Sequence, residues 1–223
     1  MSRLFDLDDP VYRADGIDAA TRAVRAGELV VLPTDTVYGL GCDAFDSGAV
    51  RRLLAAKGRG PDMPVPVLVA NARALDGIAF GLSYTARELV TAFWPGALTV
   101  VCLAQPSLQW DLGDTRGTVA VRMPLHPAAL ELLAETGPMG VSSANRTGRP
   151  PATTVHEARD MLGEDVAVYL DGGPTEDSQP STIIDVSGDV PRVLRHGAIP
   201  LEQLREVAPE LEAAAGSRTG EPR

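Results

Sequence analysis

The run Leu29-Val30-Val31-Leu32, closed by Pro33, is apolar at every position. A strand with one wet face alternates apolar and polar residues, whereas a strand without alternation is buried on both faces. Around it, segments of helical period alternate with further short apolar runs. Ile17, Ala20 and Val24 share one face of a predicted helix that Asp15 can cap and Gly27 ends. A second helix is expected from about Ser47 to Gly58, with Val50, Leu53 and Leu54 inward. Thr85 with Glu88, and Thr154 with Glu157, read as capping boxes. The first of these helices stops at Pro95-Gly96, the second at Gly163. Pro127 starts a short helix to about Glu135, and Pro200 begins a last one. Strands are expected at Val65–Val69, Leu98–Leu103, Thr118–Val121, Met139–Ser142, Val166–Leu170, Thr182–Val186 and Arg192–Leu194. Some strands follow one another directly, so the expected fold is α/β, a twisted mixed parallel and antiparallel sheet with flanking helices.

No Pro/Ser/Gly linker separates two cores, so one domain over residues 1–207 is expected, followed by a flexible tail over 208–223 that is frayed from Gly216 to Arg223. Gly172 to Pro180 reads as a mobile loop over a site. Hydrophobic content of 44% marks a globular chain, and 4% aromatics make its core aliphatic. Cys42 and Cys102 stand alone in apolar contexts, which fits buried thiols in a reducing cytoplasm better than a zinc or disulfide scaffold. His126, His156 and His196 have no metal spacing, so no protein metal site is expected. No apolar run approaches the ~20 residues that span a bilayer. A net charge of −10 argues against a general nucleic-acid surface but permits a basic pocket inside an acidic shell.

Among 20 basic residues only Lys57 is a lysine. It is a compact point charge two residues from Arg59, a planar fork. If Gly58 takes the left-handed position that ends the helix, Lys57 and Arg59 can converge on one polyphosphate. Alternatively they satisfy the last helix carbonyls. Thr34, Asp35, Thr36, Tyr38 and Gly39 crowd the end of the first buried strand, where α/β sheets present binding groups and where turns form anyway. Ser143 and Asn145 offer a hydroxyl and an amide after another strand, suited to a nucleotide or to an ordinary turn. Arg122 ends an apolar strand and needs an anion, from protein or ligand. Ser181 opens one strand and Arg195 closes the next. Neither GxxxxGK[ST] nor GxGxxG after a strand is present.

In order, Pro33-Thr34-Asp35-Thr36-Val37-Tyr38-Gly39-Leu40, Lys57-Gly58-Arg59, Trp94-Pro95-Gly96-Ala97-Leu98-Thr99, Arg122-Met123-Pro124, Ser142-Ser143-Ala144-Asn145-Arg146-Thr147-Gly148, Pro180-Ser181-Thr182-Ile183-Ile184-Asp185 and Arg195-His196-Gly197 resemble the Sua5/YciO/YrdC family. The likeness runs from about Gly27 to Gly197. It implies a deep, positively charged cavity on a twisted mixed sheet, and a nucleotidyltransferase that makes threonylcarbamoyl-AMP and pyrophosphate from L-threonine, bicarbonate and ATP. By resemblance, Lys57 and Arg59 are catalytic; Lys57, Arg59, Ser143, Asn145 and Arg195 bind ATP; Thr34, Arg122 and Ser181 bind threonine; and Tyr38 lines the pocket. Mg²⁺ would ride on the ATP phosphates, and a downstream tRNA threonylcarbamoyl transferase complex would take the product to make t6A, with no membrane involved and direct tRNA contact left open.

Two departures from the family pattern stand out. The family's longer branch carries an extra C-terminal domain where a short acidic tail is read here, so the single-domain branch is expected, and Met63-Pro64-Val65-Pro66 stands where many relatives place a basic or Asn residue before Pro-Leu, so contacts near 63–66 stay open. An RNA-binding module of the same fold, double-stranded RNA or tRNA, is the rival reading. A paralogue with another acyl acceptor is a third.

Overall fold

A computed structural model describes residues 2–175 and 179–214. In chain order the elements are β1 (Arg3–Asp6), α1 (Pro10–Arg25), β2 (Val30–Leu32), β3 (Gly39–Asp43), α2 (Ser47–Lys57), β4 (Val67–Leu68), α3 (Ala74–Ile78), β5 (Ala79–Phe80), α4 (Tyr84–Phe93), β6 (Leu98–Ala104), β7 (Thr118–Arg122), α5 (Pro127–Thr136), β8 (Met139–Ser143), α6 (Val155–Leu162), β9 (Val168–Asp171), β10 (Thr182–Asp185), β11 (Arg192–Arg195) and α7 (Leu201–Val207). All strands join one sheet in the order β1-β9-β2-β3-β8-β4-β7-β6-β10-β11, with β5 paired to β6. The β1–β9, β9–β2, β4–β7 and β6–β10 pairs are parallel; the others are antiparallel.

The opening apolar run explains the layering. Val30, Val31 and Leu32 are fully buried. Val30 and Leu32 join one apolar cluster, with Ile17, Ala20 and Val24 of α1 and Leu132 and Leu133 of α5. Leu29 and Val31 join another, with Leu53 of α2, Leu89 of α4, Leu162 of α6 and Leu204 of α7. Successive strand residues point to opposite faces, so β2 is the seam between two cores.

Several local expectations are corrected. Asp9 caps α1, accepting from Val11 N at 2.9 Å, with Pro10 in the first turn; Asp15 lies inside the helix. Ser83 caps α4 by accepting from Ala86 N, while the Thr85 hydroxyl donates to Glu210 at 2.8 Å. Thr154 does cap α6, and Glu157 reaches back to Thr153 N at 2.8 Å with a weaker interaction at the cap's own N–H.

β3 was not expected as a strand, because its Gly-Leu-Gly-Cys-Asp sequence has little β-propensity. The glycines are there for space. A Cβ on Gly39 would lie 2.7 Å from Val141 Cγ1, and one on Gly41 2.8 Å from Met139 Cε.

The tail expected from residue 208 is also corrected. Ala208 and Leu211 are buried, and Val193 N donates to Glu212 O at 2.9 Å, so the chain is packed through this stretch. Gly216 to Arg223 lies outside the described residues, as do 176–178 of the expected 172–180 loop.

α2 matters most for the site because it delivers Lys57 and Arg59. Asp46 caps its start, and Gly58 ends it in the left-handed region at φ 63° and ψ 44°. No atom lies within 4 Å of a Cβ built on Gly58, so backbone conformation alone demands glycine. Gly58→Ala is expected to lower unfolding free energy by about 1 kcal/mol, read as a shifted urea midpoint at constant slope.

Candidate active site

Side chains two apart along a strand share a face. Thr99 and Val101 of β6, Ala120 and Arg122 of β7, Val141 and Ser143 of β8, and Ser181 and Ile183 at β10 line one cavity of about 570 Å³. That volume suits a small-molecule ligand. Thr34, Thr36 and Tyr38 enter from the β2–β3 connection, Lys57 and Arg59 from the end of α2, Asn145 from the turn after β8, and Arg195 from the end of β11. All nine residues singled out from the sequence therefore meet in one place: Thr34, Tyr38, Lys57, Arg59, Arg122, Ser143, Asn145, Ser181 and Arg195. Met63, Pro64 and Pro66 add apolar wall. Among the described residues the lining carries four cations and no carboxylate, inside a chain of net charge −10. Such a cavity concentrates anions.

Lys57 is 3% exposed. Its Nζ donates to the Ser143 carbonyl, to the Asn145 carbonyl at 2.7 Å and to Asn145 Oδ1 at 3.3 Å. The ammonium thus ties the end of α2 to the end of β8 instead of satisfying its own helix. Burial, with a smaller push from Arg59, brings its pKa down to about 8. Asn145 is held further by Nδ2 bonds to the carbonyls of Arg149 at 2.6 Å and Arg146 at 3.2 Å.

Arg59 donates from Nη1 to Ser142 Oγ at 3.0 Å, and its buried Nε has no partner. A buried unpartnered donor on a cation is costly unless a ligand arrives. Burial lowers the Arg59 pKa.

At the other end, Arg195 forks onto the Ser181 carbonyl at 3.1 and 2.8 Å and reaches Ser181 Oγ at 3.0 Å. Ser181 Oγ also pairs with Thr99 Oγ1 at 2.8 Å. A Cβ on Gly197 would stand 2.3 Å from the Pro180 carbonyl, so only glycine lets β11 approach this closely.

Arg122 has found a protein anion: its Nη2 lies 2.6 Å from Asp35 Oδ1, with both side chains largely buried. Burial lowers the Arg122 pKa, opposed by Asp35. Thr34 Oγ1 donates to the Val37 carbonyl at 2.7 Å, so it shapes the turn as well as the wall. Tyr38 is fully buried. Its hydroxyl donates to Gly173 O at 2.6 Å and accepts from Gly172 N at 3.1 Å, and burial raises its pKa. Thr36, Asp35, Thr99 and Ser142 were seen in the motifs without roles. Thr99 carried the clearest missed signal, a hydroxyl inside an otherwise apolar strand. Among the described residues, no group of three His, Cys, Asp or Glu could hold a metal, and no helix is long and apolar enough to cross a membrane.

The Sua5/YciO/YrdC family, described as "Telomere recombination", matches residues 22–197. This chain belongs to that family. A Mycobacterium tuberculosis protein named provisionally as a threonylcarbamoyl-AMP synthase is 57% identical over 207 residues, 93% of this chain and 95% of that one. The Bacillus subtilis threonylcarbamoyl-AMP synthase is 39% identical over 206 residues, 91% of this chain and 59% of that one. The crystal structure of Pyrococcus abyssi Sua5 complexed with L-threonine superposes with a TM-score of 0.90 at 32% identity, covering 99% of this chain and 65% of that one. The mixed sheet with flanking helices is thus the family's fold.

The bonds of the Lys57 ammonium to buried acceptors make its removal costly. Lys57→Met strands buried carbonyls, and a loss of about 1–3 kcal/mol is expected by denaturant unfolding. Because the folded pKa lies below the ordinary 10.5, the unfolded chain holds more protons between about 8 and 10.5. The charge-burial penalty from this group is therefore full below about 8 and is relieved as pH rises towards 10.5. The gap in melting temperature between wild type and Lys57→Met should widen over that window.

Proposed function

We infer that this protein is a threonylcarbamoyl-AMP synthase, a nucleotidyltransferase that joins L-threonine, bicarbonate and ATP with release of water and pyrophosphate. The observation that carries the reading is one cavity lined by the four cations Lys57, Arg59, Arg122 and Arg195 together with Ser143, Asn145 and Ser181. The relatives' names and the threonine complex of the Pyrococcus abyssi protein point the same way.

The reaction asks for little covalent chemistry from the protein. The carbamate formed from threonine and bicarbonate attacks the α-phosphorus of ATP, and negative charge builds on the departing pyrophosphate. Preplaced cations stabilise that charge without reorganising at the moment of reaction. Arg59, with an unpartnered buried Nε, is the readiest phosphate ligand. Lys57 adds fixed positive charge and holds Ser143 and Asn145 in place for the nucleotide. Arg195 stands beside Ser181 and serves the same anionic substrates. Thr34, Arg122 and Ser181 form the hydroxyl-rich end that takes threonine, and Tyr38 braces the wall behind them. Among the described residues the cavity lining has no carboxylate, so Mg²⁺ would ride on the phosphate oxygens of ATP, where it would supply charge neutralisation.

The product passes to a tRNA-modifying transferase complex in the cytoplasm, where the buried thiols Cys42 and Cys102 stay reduced. Cations gathered inside a concave wall favour a small polyanion over an RNA helix.

Wild type with ATP, Mg²⁺, threonine and bicarbonate is expected to release pyrophosphate only when threonine is present, and mass spectrometry with labelled bicarbonate should place the label in the adenylate. Arg59→Ala is expected to cut kcat/KM by about 100-fold or more with little change in melting temperature. Threonine-independent release, or RNA binding without nucleotide turnover, would reverse the assignment.

A further inference from the structure

Asp35 is not among the residues that line the cavity, yet its carboxylate is bonded to one that does, Arg122. One oxygen, Oδ1, accepts from Arg122 Nη2 at 2.6 Å and from Leu125 N at 2.8 Å. It thereby ties the β2–β3 connection to the segment between β7 and α5.

The consequences spread through Arg122. A guanidinium has five N–H donors in one plane. Besides Asp35, Arg122 reaches the Gly96 carbonyl from Nε at 2.9 Å and Thr36 Oγ1 from Nη1 at 2.9 Å. Gly96 follows the cis Trp94–Pro95 bond. Thr36 Oγ1 lies 3.1 Å from Thr34 Oγ1, which donates to the Val37 carbonyl. Arg122, Thr36 and Thr34 all line the cavity. With three N–H groups held from three directions, the plane of the fork is fixed, and the donors left over are aimed rather than free to swing.

We propose that Asp35 is a positioning residue for amino-acid binding, acting through Arg122 to orient its remaining N–H donors towards the substrate carboxylate. This rests on the synthase reading. The charge balance makes the arrangement specific. Asp35 compensates one of the two neighbouring arginines at this end, Arg122 and Arg195, and so leaves net positive charge for an incoming carboxylate. An amide at position 35 keeps an oxygen for Leu125 N but gives up the charge that anchors the fork.

The test is threonine-dependent pyrophosphate release by wild type, Asp35→Asn, Asp35→Ala, Arg122→Met and the Asp35→Asn/Arg122→Met double variant, with melting curves for each. Asp35→Ala strands a buried guanidinium and can fail to fold, so Asp35→Asn carries the measurement. The expected result is a threonine KM raised about tenfold in Asp35→Asn, while the ATP KM stays within about twofold and the loss falls on KM more than on kcat. In the Arg122→Met background, Asp35→Asn should add nothing further, the mark of a residue that works through its partner. An unchanged threonine KM, an equal rise in ATP KM, or an additive effect in the double variant overturns the proposal while leaving the synthase reading intact. A wild type without threonine-dependent release overturns that reading and the proposal together.

Discussion

A buried ammonium joins the two halves of this site. The Lys57 Nζ sits among the Ser143 carbonyl, the Asn145 carbonyl and Asn145 Oδ1, and so binds the end of α2 to the end of β8. The three acceptors converge on a point. An ammonium supplies three rotatable donors to such a point, whereas a planar guanidinium does not fit it. That geometry explains why a chain that uses arginine at every other basic position has lysine here. The same contact shapes the turn that carries Asn145 and sets Arg59, two residues on, against Ser142.

The sheet makes this contact possible. β3 and β8 pair in register with Gly39 opposite Ser143 and Gly41 opposite Val141. Side chains at 39 and 41 would fill the space that β8 residues occupy. The strands around the cavity turn Thr99, Arg122 and Ser143 to it among aliphatic Val101, Ala120, Val141 and Ile183. Cavity and core are two sides of the same sheet, and the apolar clusters behind it hold the cations against their mutual repulsion.

At the opposite end the site is organised around an ion pair. Arg122 and Asp35 are largely buried together, and the pair links the β2–β3 connection to the segment before α5. Arg195 is anchored on the Ser181 backbone, which Gly197 allows to come close. Each cavity-lining cation is therefore held by the protein itself. Preorganisation of this kind lowers the cost of binding and of charge build-up.

Much was legible because it depends on local chemistry. The unbroken apolar run at 29–32 announced a strand covered on both sides, Gly58 announced a left-handed stop, and Thr154 announced a cap. The nine cavity-lining residues were legible as types at the ends of strands and of one helix, and their motifs pointed to the family. Other features were closed to sequence because their causes lie far along the chain. β3 is a strand through its pairing with β8 despite its glycines, Asp9 rather than Asp15 starts α1, and Leu211 is buried because the β11 region lies against it. Likewise, whether Arg122 met a protein anion or waited for a ligand turned on a carboxylate 87 positions away. Sequence by itself settled which residue types the cavity holds, since short-range pattern and charge require nothing beyond neighbours. Tertiary structure alone decided which donors are already engaged and which stay open, because hydrogen-bond partners are chosen by distance in space rather than by separation along the chain.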